Sequence, residues 1–212
     1  MPAQEKQVLT VGGVFDFDRR FVAGLHLVQQ PKKVGERLID ENLELRVAIE
    51  ENHEPTVKAG EFADVLLLLV TAANVAGVSP NGLSERSYGS LQETDVLHLS
   101  RQPYELLGMI EEGVEDVVLA LGNGGLSERH VCLVHEAVVA LATEQNISLT
   151  EALFGKMRRN ADPERGKYRQ AAVFALTGGS RSTTVDDMRR VGALWTGDDT
   201  SFFNHEAILF KK

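Results

Sequence analysis

The segment Glu61 to Ala76 constrains the fold more than any other stretch of the chain. It opens on two carboxylates, Glu61 and Asp64, and then runs Val65-Leu66-Leu67-Leu68-Leu69-Val70-Thr71-Ala72-Ala73. Such a run is far short of the ~20 residues that span a bilayer. It is also too apolar all round for a surface helix, so it predicts a helix buried on most sides. Gly77 and Pro80 mark its end. The two carboxylates at its start then border an apolar interior, which disfavours their ionisation unless something compensates.

The rest of the chain reads as mostly helical. Phe15, Phe21, Val22, Leu25 and Val28 predict an amphipathic helix between Asp16 and Gln29. Val34, Leu38, Leu45 and Ile49 predict a second from Lys33 to Glu50, with Pro31 suited to open it. The polar stretch Glu51 to Gly60, with Pro55, reads as a loop. Helical patterns resume over Pro103–Leu121, Ser127–Gln145 and Ser148–Asn160, the last with Ser148 and Glu151 at capping-box spacing. Asn81 to Gln102 is rich in Ser, Gly and Asn and gives no firm element. Past Tyr168 the character changes: residues 171–176 and 207–210 read as short strands or tail segments, and Thr184–Leu194 as a short helix. Gly178, Gly179 and Ser180 form a hinge. The expectation is an all-α, antiparallel helical bundle over residues 1–170, followed by a mixed extension over 171–212. The bundle divides into an acidic hairpin at 31–79, a second hairpin at 103–145 and a basic helix at 148–168.

Charge narrows the function classes. Asp and Glu number 31 against 22 Lys and Arg, a net charge of -9. That excess disfavours a broad nucleic-acid surface and suits carboxylates gathered around divalent metals. Cys132 is the single cysteine, so an internal disulfide and a multi-cysteine zinc site are excluded. Flanked by Val131 and Leu133, it reads as a buried small apolar residue. The six histidines are scattered, and Gly122–Gly125 lacks the lysine of a phosphate-binding loop. Met1 to Val11 has no apolar leader core, so the expectation is a soluble, cytoplasmic protein without a membrane partner.

Four carboxylates carry the chemistry. Glu41 and Glu44 are spaced i, i+3, as are Glu61 and Asp64, so each pair projects from one helical face. If the two helices pack antiparallel, all four converge, and a hard divalent cation with oxygen ligands supplies the compensation. Spacing alone leaves this reading level with the plainer one of solvated acidic decoration.

Gln30-Pro31-Lys32-Lys33-Val34 and Leu38-Ile39-Asp40-Glu41-Asn42-Leu43-Glu44-Leu45, followed by Glu61-Phe62-Ala63-Asp64, resemble the MazG-like all-α nucleoside triphosphate pyrophosphohydrolases. The pattern is nearest to members acting on dCTP or dUTP. Ala152-Leu153-Phe154-Gly155-Lys156-Met157-Arg158-Arg159-Asn160, with Arg165, Lys167 and Tyr168, resembles the family's later basic element. The resemblance implies hydrolysis of a (deoxy)nucleoside triphosphate to monophosphate and pyrophosphate, with Mg²⁺ or Mn²⁺, in nucleotide-pool control or sanitation. Glu41, Glu44, Glu61 and Asp64 would then be metal ligands and catalytic groups. Lys156, Arg158, Arg159, Arg165 and Lys33 are the phosphate candidates, Asn160 a sugar or phosphate contact, and Phe17 and Gln30 candidates for the base. Phe15 and Phe21 read better as core. The implied assembly is a homodimer or homotetramer.

This chain departs from the short family pattern, because about 65 residues separate its acidic and basic elements. The insert holds the second hairpin, whose Glu112 and Glu115 match Glu41 and Glu44 at one offset (112 − 41 = 71, 115 − 44 = 71). The offset fits an internal duplication and equally the general likeness of amphipathic hairpins. Val131 to Val134 stand where a second acidic pair would fall, so one competent centre is expected, with the second hairpin as a degenerate structural partner. Related specificities, for dGTP or phosphoribosyl-ATP, stay open, as does a non-catalytic helical metal-binding scaffold or regulatory partner.

Overall fold

The computed structural model describes residues 9–24, 30–79, 81–84, 86–88 and 102–161, without the side chains of 20–24, 158 and 161. Six helices form the described part: α1 (Val11–Gly24), α2 (Pro31–Glu50), α3 (Pro55–Val75), α4 (Pro103–Gly122), α5 (Glu128–Glu144) and α6 (Leu149–Ala161). An isolated antiparallel bridge joins Thr10 to Ser87, and the described residues hold no strand. The class is all-α. No helix among them is long and apolar enough to cross a membrane.

Local chemistry explains the boundaries. Helices α2, α3 and α4 each open on a proline, Pro31, Pro55 and Pro103. The ring fixes a helical φ, and its missing N–H is one that the first turn leaves unpaired anyway. Residues 55–60, expected as loop, are therefore the first turns of α3. At the other ends, Asn52 (φ 51°), Gly77 (70°), Gly124 (69°) and Asn146 (55°) take the left-handed conformation. In each case the next residue's N–H reaches back five residues, as His53 does to Ala48 and Ile147 to Ala142. This is the Schellman closure, which satisfies carbonyls the helix end would orphan. Ser148 Oγ accepts the Glu151 N–H at 3.4 Å, as the capping-box spacing anticipates.

Helix α3 is the axis of the bundle, packing against α1, α2, α5 and α6. Phe62 and Ala63 and every residue from Val65 to Ala73, Thr71 included, are buried. The two hairpins, α2–α3 and α4–α5, pack through α2 and α4. There Arg46 grips both carboxylate oxygens of Glu111 at 2.9 and 3.0 Å. Glycine permits two close approaches: a Cβ on Gly113 would meet Val134 Cγ2 at 2.7 Å, and one on Gly35 would meet Val118 Cγ1 at 3.0 Å. Helix α1 starts at Val11, earlier than expected, and is tied to α3 by Asp18. Its carboxylate accepts from Thr71 Oγ1 at 2.8 Å and Asn74 Nδ2 at 2.9 Å. Burial holds this carboxyl above the usual aspartate range, against those two hydrogen bonds.

The strand and helix expectations beyond residue 170 lie outside the described residues, as do Arg165, Lys167 and Tyr168. Cys132 is half-buried against the core.

Candidate metal centre

The α2–α3 elbow brings three of the four carboxylates together. One oxygen each from Glu41, Glu61 and Asp64 lies within 4.8 Å of the others. The geometry follows from the hairpin: Glu41 stands mid-way along α2, Glu61 and Asp64 one turn apart on α3, and residues 51–54 connect them. Asp64 is buried, and Glu41 and Glu61 are half-buried. Glu44 is exposed and outside the trio, yet near enough for its charge to act on Glu61.

The electrostatics show crowding of like charge. Burial raises the Glu61 carboxyl above its ordinary range, and the charges of Asp64, Glu44 and Glu41 push it the same way. Lys156 opposes this. It reaches from α6 to pair with Asp64 Oδ2, a contact between residues 92 positions apart. Arg37, one turn before Glu41 on α2, lies 3.8 Å from the Glu41 carboxylate. That arginine was not singled out from sequence, although its i, i+4 spacing to Glu41 was there to see.

The elbow is fixed by a second residue that sequence reasoning missed. Lys58 is 7% exposed and donates to Asn52 Oδ1 at 3.0 Å and Gln145 Oε1 at 3.1 Å. Both acceptors sit just past helix C-termini, those of α2 and α5, where the negative end of the helix dipole favours a cation. It lies three residues before Glu61 and so anchors the turn of α3 that presents that carboxylate.

The expected substrate residues fare unequally. Lys156 is at the cluster. Asn160 is one turn further along α6 and half-buried; Arg159 is exposed on the same last turn. Gln30 and Lys33 are exposed at the start of α2, two turns or more before Glu41. Phe17 requires a correction: at 2% exposure it is a core side chain of α1 and offers no open face to a base. The side chain of Arg158 is outside the described set. In the second hairpin Glu112 and Glu115 point to solvent on α4, and Val131 and Val134 of α5 are buried. No acidic centre like the first forms there among the described residues.

The donor set is chemically coherent. Oxygen ligands alone, partly desolvated and mutually repelling, suit a hard divalent cation of the Mg²⁺ or Mn²⁺ kind. Comparison with protein-family models, with curated proteins and with solved structures finds no match for this chain.

Proposed function

We propose that the chain is a metal-dependent hydrolase that cleaves a (deoxy)nucleoside triphosphate to the monophosphate and pyrophosphate. The observation that carries the reading is the convergence of Glu41, Glu61 and Asp64, with Lys156 brought onto Asp64 from α6. An acidic trio beside a lysine pairs a divalent-cation cradle with a phosphate-binding group, and these are the two things a triphosphate needs.

Glu41, Glu61 and Asp64 would hold Mg²⁺ or Mn²⁺, with Glu44 at the edge. Bound there, such a cation would supply neutralisation of phosphate charge and a more acidic water. The chain's own residues do the rest. Lys156, with Asn160 one turn on, faces the phosphates, and a carboxylate of the cluster takes the proton that the attacking water gives up. The water's oxygen joins one phosphorus as the anhydride bond between the α- and β-phosphates breaks. The biological role that fits is nucleotide-pool control or sanitation. Assembly as a homo-oligomer fits the outer face of α2, where Ile39, Leu43 and Val47 are spaced one turn apart and 44%, 57% and 38% exposed.

The test is a nucleotide panel with Mg²⁺: canonical dNTPs and NTPs, dUTP, damaged bases and phosphoribosyl-ATP. Release of monophosphate and pyrophosphate, lost in Glu41→Gln while circular dichroism is unchanged, is the expected result. Diphosphate plus phosphate as products, or silence across the panel with metal bound, overturns the reading. Silence would favour the non-catalytic metal-binding scaffold.

A further inference from the structure

Lys156 touches an oxygen that a bound metal would need, and this juxtaposition has a consequence for how the centre fills. Among the described residues, the four carboxylates Glu41, Glu44, Glu61 and Asp64 are faced by Arg37 and Lys156. The two cations are not equivalent. The Arg37–Glu41 pair lies along one helix, with the arginine side chain 48% exposed, so water screens it. The Lys156–Asp64 pair joins two helices, with side chains 18% and 11% exposed. Its ammonium also draws the Glu61 carboxyl back toward its ordinary range. Lysine suits such a place because its compact charge rides on a flexible four-carbon stem.

We infer that Lys156 is the resident counter-ion of the metal-free centre, occupying Asp64 Oδ2 until a divalent cation displaces it toward the phosphates of the substrate. The inference rests on the metal-centre reading above and adds an order of events to it. An ammonium and a dication cannot share one carboxylate oxygen without strong repulsion. Metal entry therefore releases Lys156, and the released ammonium becomes available to a phosphate oxygen beside Asn160. Metal loading and phosphate capture are coupled through one side chain, so metal binds first and the nucleotide finds its lysine only in a loaded centre.

The experiment reads metal affinity rather than turnover. Mn²⁺ binding is measured by calorimetry on the full chain and on Lys156→Met and Lys156→Arg, without nucleotide. Lys156→Met is expected to bind Mn²⁺ at least about tenfold more tightly than the wild type at low ionic strength, and Lys156→Arg to stay within a few-fold. Equal or weaker binding by Lys156→Met overturns the counter-ion role. Absence of Mn²⁺ binding from both the wild type and Lys156→Met overturns instead the metal-centre reading on which it rests. Binding by the variant alone is the strongest form of the expected result. A measurement on unaltered protein guards against a variant that does not fold: labelling by an amine-reactive reagent, read residue by residue by mass spectrometry. Saturating Mg²⁺ should raise Lys156 labelling several-fold while the exposed Lys32 stays constant; unchanged or reduced Lys156 labelling refutes displacement.

Discussion

Replacing Glu61 by Gln should have opposite effects on stability with and without metal. Two ionised carboxylates 4.8 Å apart, the outer limit of the trio, repel by about 0.9 kcal/mol at the dielectric of water and about 3.5 kcal/mol at an effective value of 20. Glu61 is half-exposed and Lys156 offsets part of the repulsion, so the relief from removing its charge falls near the lower figure, about 1 kcal/mol. For a chain of this size that is a rise of roughly 2–4 °C in the melting temperature in chelator. With metal the comparison reverses. A cation at a hundred times its Kd stabilises the wild type by about 2.7 kcal/mol. If the lost ligand weakens binding about a hundredfold, the same concentration stabilises Glu61→Gln by only about 0.4 kcal/mol. The melting curves, followed by circular dichroism in EDTA and in Mg²⁺, should therefore exchange order. The pH dependence has a defined sign. Because Glu61 is held above its ordinary range, the folded chain binds that proton more tightly than the unfolded chain. Its contribution is most favourable below the usual glutamate range and is lost as pH rises through the raised value. The advantage of Glu61→Gln in chelator should consequently be small in acid and full at pH 7. A variant that melts below the wild type in EDTA at pH 7, or that keeps the full Mg²⁺ shift, refutes the reasoning.

Two further outcomes can be checked by urea denaturation. Gly108→Ala and Gly113→Ala, both in α4, should differ in sign: nothing lies within 4 Å of a Cβ at 108, whereas one at 113 meets Val134. The first gains helix propensity of up to ~1 kcal/mol, and the second loses ~1–2 kcal/mol net to overpacking; equal effects would contradict the close α4–α5 approach. His135 is buried, bonded through Nε2 to Tyr88 Oη at 3.1 Å, with Nδ1 lacking a partner among the described residues. Burial, aided by the charge of Arg86, holds it down at about 4. The folded chain then takes that proton less readily than the unfolded one, so stability should fall as pH drops from about 6.5 towards about 4, and His135→Leu should remove that slope.

Much of the bundle was legible because helical periodicity is a local property. The α2, α4, α5 and α6 expectations rest on apolar residues three and four apart, and the buried run of α3 announces itself. The misread turn at residues 55–60 has an identifiable cause. In sequence Pro31 reads as a helix opener and Pro55, amid polar residues, as a loop marker, although the chemistry at the two positions is the same. Asn52 and Asn146 close α2 and α5 in a conformation more often taken by glycine, yet the expected ends at Glu50 and Gln145 fall within one residue of the observed ones, because the apolar period stops there. The expected start at Ser127 coincides with the observed N-cap, although its N–H bonds to His130 Nδ1 at 3.2 Å, a histidine where a glutamate is the usual signal. For the candidate site, the i, i+3 spacing located both acidic pairs. It could not say that Glu44 would stay exposed, nor that Phe17 would turn into the core, because both depend on how α1 and α2 rotate against α3. The Asp18–Thr71 and Lys156–Asp64 contacts span 53 and 92 residues, distances over which one sequence carries no pairing signal.

Lys58 gives the elbow a property that the carboxylate cluster lacks. Ion pairs such as Arg46–Glu111 are weakened by high salt. The acceptors of Lys58 are amide oxygens, which carry no titratable proton across the biological range. The angle between α2 and α3 is thus held by a clamp whose acceptors carry no charge of their own, one turn away from the crowded carboxylates. If the cluster takes up and loses a cation as proposed, the frame that aims its carboxylates keeps its shape, so the centre can empty and refill without refolding.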